Sequence, residues 1–191
     1  MGQTNMISVN LILKNNTADL HKRLEQIGFV DKIMDKTLSL EEYKKLIAAN
    51  FIFHQPLERH LSTITGLSEL NIKWKMPFLE QDRLAVGGFD HVEVDNPFLP
   101  QDLYEALGCM YVLEGATLGG RVIKRHLQML PLEMHYYGCY GEESGMYWKT
   151  FMQNLETYID TDSKADIALK AAQETFAFGI RCFEKVIGKE K

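Results

Sequence analysis

The sequence has no cysteine pair at metal or disulfide spacing, no long apolar run, no surplus of positive charge and no useful stretch of strand alternation. Its three cysteines, Cys109, Cys139 and Cys182, are an odd number without a CxxC pair. That argues against a disulfide scaffold or a zinc site and points to a reducing cytoplasm. The formal net charge of -5 argues against nucleic-acid binding, because no basic excess is available to neutralise phosphates. No apolar run approaches the roughly 18 residues of a membrane span. The N-terminus, MGQTNMISVNLIL, lacks a basic region followed by an apolar core and a small-residue cleavage site. Gly2 could begin a myristoylation motif, but Met6 stands where that motif wants Ser or Thr. The expectation is a cytoplasmic protein that engages neither nucleic acid nor membrane.

What is present is helical. The 191 residues, 46% hydrophobic and 25% charged, suffice for one domain with a real core. Apolar positions Leu11, Leu13, Leu20, Leu24 and Ile27 predict a helix over Ser8–Ile27. The SLEE segment is a capping box with Ser39 as N-cap, opening a helix to about Ile64 that Pro56 should kink or break. Gly66 is its expected stop. A short helix over Pro77–Ala85 and a loop over Gly87–Pro100 follow. One long helix is predicted from about Gln101 to Met129, then a loop over His135–Gly145, a helix over Tyr147–Tyr158 and a last helix over Lys164–Ile187. No repeat and no linker marks a second domain. The reading is an all-α single domain over residues 1–191.

The Gln101–Met129 stretch carries Gly108, Gly115, Gly119 and Gly120. At about 1 kcal/mol each in a helix interior, the four cost roughly 4 kcal/mol. Such a cost implies a bend, or a backbone that must lie close to something. The familiar catalytic motifs do not explain it. The six histidines (His21, His54, His60, His91, His126, His135) show no HExxH spacing and no carboxylate-rich di-iron set. A nucleophile elbow, a P-loop and a dinucleotide fingerprint are absent. A histidine-bearing first helix and a glycine-rich helix remain, and they could grip a flat ligand between them. Haem fits: one neutral imidazole binds its iron, and bare backbone covers the opposite face without blocking a small gas molecule.

The residues resemble the biliverdin-producing haem oxygenases. LKNNTADLHKRLE (Leu13–Glu25) is similar to that family's proximal segment, a Leu–basic–x–x–Thr–x–x–x–His pattern. SLEEYKKLIAANFIFHQPLE resembles the next helix, and YVLEGATLGGRVIKRHL the distal helix with its G-x-x-x-G-G core. TFAFGIRCFEKV (Thr175–Val186) resembles the closing helix, so the likeness covers about Leu11 to Val186. The distal motif, with Tyr111 and Glu114 ahead of it, looks closest to the bacterial branch, which includes bacteriophytochrome-associated enzymes.

The resemblance implies a helical bundle holding haem between a proximal helix and a kinked glycine-rich distal helix. It implies a monooxygenase for which haem is both substrate and cofactor, opened with O2 and reducing equivalents to biliverdin, CO and ferrous iron. His21 would be the axial iron ligand. Gly115, Gly119 and Gly120 would shape the catalytic distal wall. Lys14, Thr17, Tyr111, Lys149 and Phe176 would complete the haem site, the two lysines as propionate partners and Phe176 closing the pocket. The expected partners are an electron donor, ferredoxin or an NAD(P)H-dependent reductase, and a bacteriophytochrome as biliverdin acceptor. Arg121, Lys124 and Arg125 form a basic end suited to an acidic donor. Ala116 departs from the mammalian pattern, which has an aspartate there. Glu114 is expected to be a solvated or structural carboxylate. The alternative is a haem or tetrapyrrole delivery protein of the same fold without turnover. A thiaminase-type relative is a third reading, opposed by His21 together with the distal helix.

Overall fold

A computed structural model describes residues 8–70, 72–90 and 92–188. The N-terminal stretch through residue 7, and His91, lie outside these described residues. Among the described residues the regular structure is helical: α1 (Val9–Ile27), α2 (Val30–Met34), α3 (Leu40–Leu61), α4 (Met76–Ala85), α5 (Leu103–Leu118), α6 (Gly120–His126), α7 (Ser144–Tyr158) and α8 (Asp162–Ile187). Short 3-10 turns lie at Leu67–Leu70 and Gly141–Glu143. No described helix is long and apolar enough to cross a membrane.

The architecture is organised by α8, which packs against α1, α3 and α5. Its N-terminal half presents small residues, Ala165, Ala168, Ala171 and Ala172, all buried. Gly108 of α5 meets this strip so closely that a Cβ would lie 2.1 Å from the Ala168 carbonyl oxygen. Close backbone approach of α5 and α8 therefore accounts for Gly108, which the haem-pocket reading left unexplained. Thr161 caps α8, its side chain accepting from the Lys164 N–H at 3.3 Å, so the helix starts two residues before the predicted Lys164. The first turn of α1 is held from a distance. Glu156 of α7 accepts from the Ser8 hydroxyl and from the N–H groups of Val9 and Asn10. A carboxylate here satisfies donors that the helix start leaves open.

Four sequence expectations are corrected. The Ser39 capping box forms, but α3 ends at Leu61 and runs uninterrupted through Pro56. Buried Ile52, Phe53 and Leu57 on both sides of the proline anchor it, and this packing outweighs a backbone defect of about 3 kcal/mol. The predicted Gln101–Met129 helix is two helices, α5 and α6, parted at Gly119. Helix α2 was not predicted, and it follows Phe29, whose φ of 61° is left-handed. Helix α7 begins at Ser144, inside the predicted His135–Gly145 loop.

Candidate functional site

A cavity of about 380 Å³ opens between α1, α3, the α5–α6 junction and α8. On α1, buried Val9, Leu13 and Thr17 turn inward. His21 lies further along α1, and its side chain remains 54% exposed and lines the cavity. The Nδ1 atom is 3.4 Å from Glu25 Oε2, one turn on. Phe176 of α8 meets the imidazole edge-on, with ring centroids 6.0 Å apart at 82°. An aromatic edge thus packs against the ring and a carboxylate lies near one nitrogen, and a carboxylate in that place orients and strengthens an imidazole ligand when it accepts the ring N–H.

The α5–α6 junction supplies a wall of small residues set among Val112, Leu118 and Ile123. Gly115, Ala116 and Gly119 line it. A Cβ on Gly119 would meet nothing within 4 Å, and one on Gly115 would meet only the Trp148 ring, at 3.7 Å. Gly120 differs. It is buried, and a Cβ there would lie 2.6 Å from the Tyr137 carbonyl oxygen. Its expected place on the distal wall is corrected: it is a packing contact that seats α6 on the Tyr136–Tyr137 segment.

A third wall is polar, and sequence reasoning missed it. Asn50, Tyr136 and Tyr137 line the cavity. Tyr136 donates its hydroxyl proton to Asn50 Oδ1 at 3.1 Å, and Asn50 Nδ2 donates to the Leu46 carbonyl at 2.8 Å. Asp82 accepts the N–H groups of His135 and Tyr136 at 2.7 and 3.0 Å, which fixes the segment that carries both tyrosines. Burial holds the Asp82 carboxyl above its ordinary range despite these bonds. Burial likewise raises the phenols of Tyr136 and Tyr137, so both keep their protons. The paired tyrosines were the available signal, but nothing local to them points to Asn50.

The other predicted site residues fall elsewhere. Thr17 is buried and donates to the Leu13 carbonyl at 2.8 Å. It also meets the Tyr111 hydroxyl, whose proton affinity burial raises and this contact partly offsets. Tyr111 packs on Trp148 at 5.7 Å between ring centroids. Thr17 and Tyr111 thus join α1 to α5 and line no part of the cavity. Lys14 and Lys149 are exposed and do not line it either. Lys14 shares a helix face with His21 but stands about 10 Å further along the axis. Glu114 is structural rather than solvated: it is buried, accepts from Lys75 Nζ, and takes the Tyr140 hydroxyl at 2.7 Å.

The donor set suits a metal that arrives with most of its ligands. Among the described residues, no three side chains of His, Cys, Asp or Glu gather to hold an ion. The cysteines are buried, and burial pushes the Cys109 and Cys182 thiols up to about 12, so neither supplies a thiolate. A lone imidazole in one cavity with the glycine backbone of Gly115 and Gly119, and with apolar and polar walls beside them, fits a planar macrocycle with iron at its centre.

This arrangement defines a helical protein with a one-histidine pocket for a flat cofactor. The chain belongs to the heme oxygenase family, enzymes of haem degradation: the family model described as heme oxygenase matches residues 8–70 and 94–185. A heme oxygenase of Xanthomonas campestris pv. campestris is 30% identical over 149 residues, 75% of this chain and 85% of that protein. The fold is similar to the NO- and CO-bound heme oxygenase of Neisseria meningitidis, with a TM-score of 0.77 at 20% identity, over 96% of this chain and 94% of that one. It is also similar to heme oxygenase-1 of the cyanobacterium Synechocystis in complex with heme, with a TM-score of 0.72 at 16% identity, over 95% and 93% of the two chains.

Proposed function

We propose that the cavity binds haem through His21 and that the protein opens the macrocycle with O2 and reducing equivalents to biliverdin, CO and Fe2+. The observation that carries this is the His21 imidazole, with Glu25 and Phe176 beside it, in one cavity with the glycine backbone of Gly115 and Gly119. Bound haem would supply the redox and oxygen-activating chemistry. The chain's own residues position and protect it. With Nδ1 turned toward Glu25, His21 Nε2 is the nitrogen that would hold the iron. Gly115 and Gly119 leave room for a small gas molecule and direct it along the slot. Ala116 offers no acid, so the hydrogen-bonding duty falls to Asn50, Tyr136 and Tyr137, which can hold ordered water in the cavity.

Lys14, exposed two turns before His21, is assigned to a haem propionate, and Lys149 more distantly to the other. Thr17 and Tyr111 act from behind the wall by locking α1 against α5. Arg121, Lys124 and Arg125 on α6 form the surface for an acidic electron donor, a ferredoxin or an NAD(P)H-dependent reductase. We take a bacteriophytochrome as biliverdin acceptor, the chain as one domain built on its contiguous core, and a reducing cytoplasm as its compartment, in line with three free cysteines.

The test is to add haem, then ferredoxin with its reductase or ascorbate. Loss of the Soret band with growth of red biliverdin absorbance is expected. A stable oxy-haem spectrum would indicate a carrier without turnover, and failure to bind haem would remove the proposal altogether.

A further inference from the structure

Helix α6 ends on a second histidine, His126, which lies outside the cavity lining. Its Nδ1 is 2.8 Å from the Val122 carbonyl oxygen, one turn earlier. A carbonyl can only accept, so Nδ1 carries a proton. In the neutral ring the lone pair then lies on Nε2, a nitrogen with which an imidazole takes a metal. Among the described residues Nε2 has no hydrogen-bond partner. The imidazole is already in the tautomer of an Nε2 ligand, and that nitrogen is unused.

Its surroundings are apolar and open to solvent. Val122 is 47% exposed, Leu118 one turn before it 44%, and Met129 just beyond α6 45%. Large apolar side chains left in water on successive turns form a patch, unlike the scattered single residues of an ordinary surface. Leu118 also lines the cavity, so the patch begins at the cavity edge. Arg121 and Arg125 stand beside it, exposed and one turn apart, and neither has an ion-pair partner among the described residues. Lys124 differs, because its ammonium donates to the Met134 carbonyl at 3.0 Å.

The three features together select the occupant. A lipid or an acidic peptide would use the patch and the arginines but leave Nε2 with nothing to bind. A bare metal ion would use His126 but not the patch, and no three side chains of His, Cys, Asp or Glu gather here among the described residues. Haem uses all three: a flat apolar body, an iron that one imidazole can hold, and two propionates for two guanidinium groups.

We propose that this face of α6 is a second haem site, a landing place at the edge of the cavity. His126 Nε2 takes the iron, Arg121 and Arg125 take the propionates, and Leu118 and Val122 lie under the macrocycle. About 12 Å of helix separates His126 from Leu118. Transfer inward exchanges one iron–nitrogen bond, to His126, for another, to His21. The arginines are free for an electron donor once the haem has moved in, so the two uses follow one another. The transfer step rests on the haem-degrading reading of the cavity, whereas the outer site does not.

The site is tested in His21→Ala, where the cavity has lost its ligand. Ferric haem in excess should give a histidine-ligated Soret spectrum, weaker in affinity than that of the wild type, and His21→Ala with His126→Ala should lose it. Equal binding by the single and the double variant is adventitious haem only and overturns the proposal. Arrival is tested by stopped-flow haem uptake with His21 in place. His126→Ala should slow uptake about 10-fold and leave the final spectrum and the release rate unchanged. Arg121→Glu with Arg125→Glu, which keeps the imidazole, should do the same. Uptake at the wild-type rate in both variants overturns the landing role. A spectrum unchanged by His21→Ala but lost with His126→Ala would defeat the reading of the cavity and leave the outer site standing.

Discussion

The side chain that Gly120 lacks would point at the carbonyl oxygen of Tyr137, with a Cβ only 2.6 Å away. Helix α6 therefore rests directly on the backbone that carries the cavity tyrosines. Gly120→Ala must push that backbone away or unseat α6. The expected cost is about 1–3 kcal/mol, as for other overpacking substitutions. In a chain of this size each kcal/mol lowers the melting temperature by about 2–4 °C. Thermal unfolding of the haem-free variant checks this, and an unchanged midpoint would show that the contact relaxes freely.

Gly119 should behave in the opposite way. Its φ of -74° and ψ of -11° suit any residue, and a Cβ there meets nothing within 4 Å. Gly119→Ala should leave the haem-free protein as stable as wild type, or up to about 1 kcal/mol more stable through helix propensity. The added methyl enters the space expected to hold haem, so affinity in a Soret titration should fall. Equal affinity would place Gly119 outside the ligand wall.

Much of this was legible before folding, but unevenly. The Ser39 capping box formed as read, with Ser39 accepting from Glu42 N–H at 3.2 Å and Glu42 accepting in return at 2.9 Å. Helix α2 was not legible, because five residues are too few to show a period. Nor was the break at Gly119, whose own dihedrals are helical; it coincides with α6 seating on the Tyr137 carbonyl, a tertiary fact. His21, Gly115 and Gly119 were singled out by residue type and helix position, and Phe176 by family resemblance; all four line one cavity. Lys14 shares a helix face with His21 but lies about 10 Å from it along the axis, outside the residues that line the cavity. The polar wall joins residues 82 and 86 positions apart in sequence, and only the fold brings them together.

Glu58 makes a prediction about acid stability. Its carboxyl is held below the ordinary range, because the His54 bond and charge and two backbone N–H donors outweigh burial. A depressed carboxyl binds its proton less tightly folded than unfolded. Its stabilisation is full above the unfolded value near 4.3 and is lost as pH falls through the folded value. Glu42 has the same sign, its carboxyl lowered to about 2 by Lys32 and the Ser39 cap, but it sits near the surface and adds little. Asp82 has the opposite sign, since burial raises it. Urea midpoints between pH 7 and 3 should drop steeply below about pH 4.5. Glu58→Gln should flatten that drop and cost about 3 kcal/mol at pH 7, by leaving the buried partner of the carboxylate unpaired. A Glu58→Gln curve parallel to wild type would refute the assignment.

The last prediction separates ligation from folding at His21. The side chain is half exposed and packs only edge-on against Phe176, so His21→Ala should change haem-free stability by no more than about 0.5 kcal/mol. The variant should lose the native axial-ligand spectrum, and added imidazole should restore it by entering the space left behind. Glu25→Gln keeps the shape but removes the charge 3.4 Å from Nδ1. A neutral partner makes the imidazole a poorer donor to iron, so haem should dissociate faster, by about 10-fold, and the iron should become easier to reduce. Unaltered haem release in Glu25→Gln would show that this carboxylate does not orient the ring. An unaltered spectrum in His21→Ala would assign the iron to another side chain altogether.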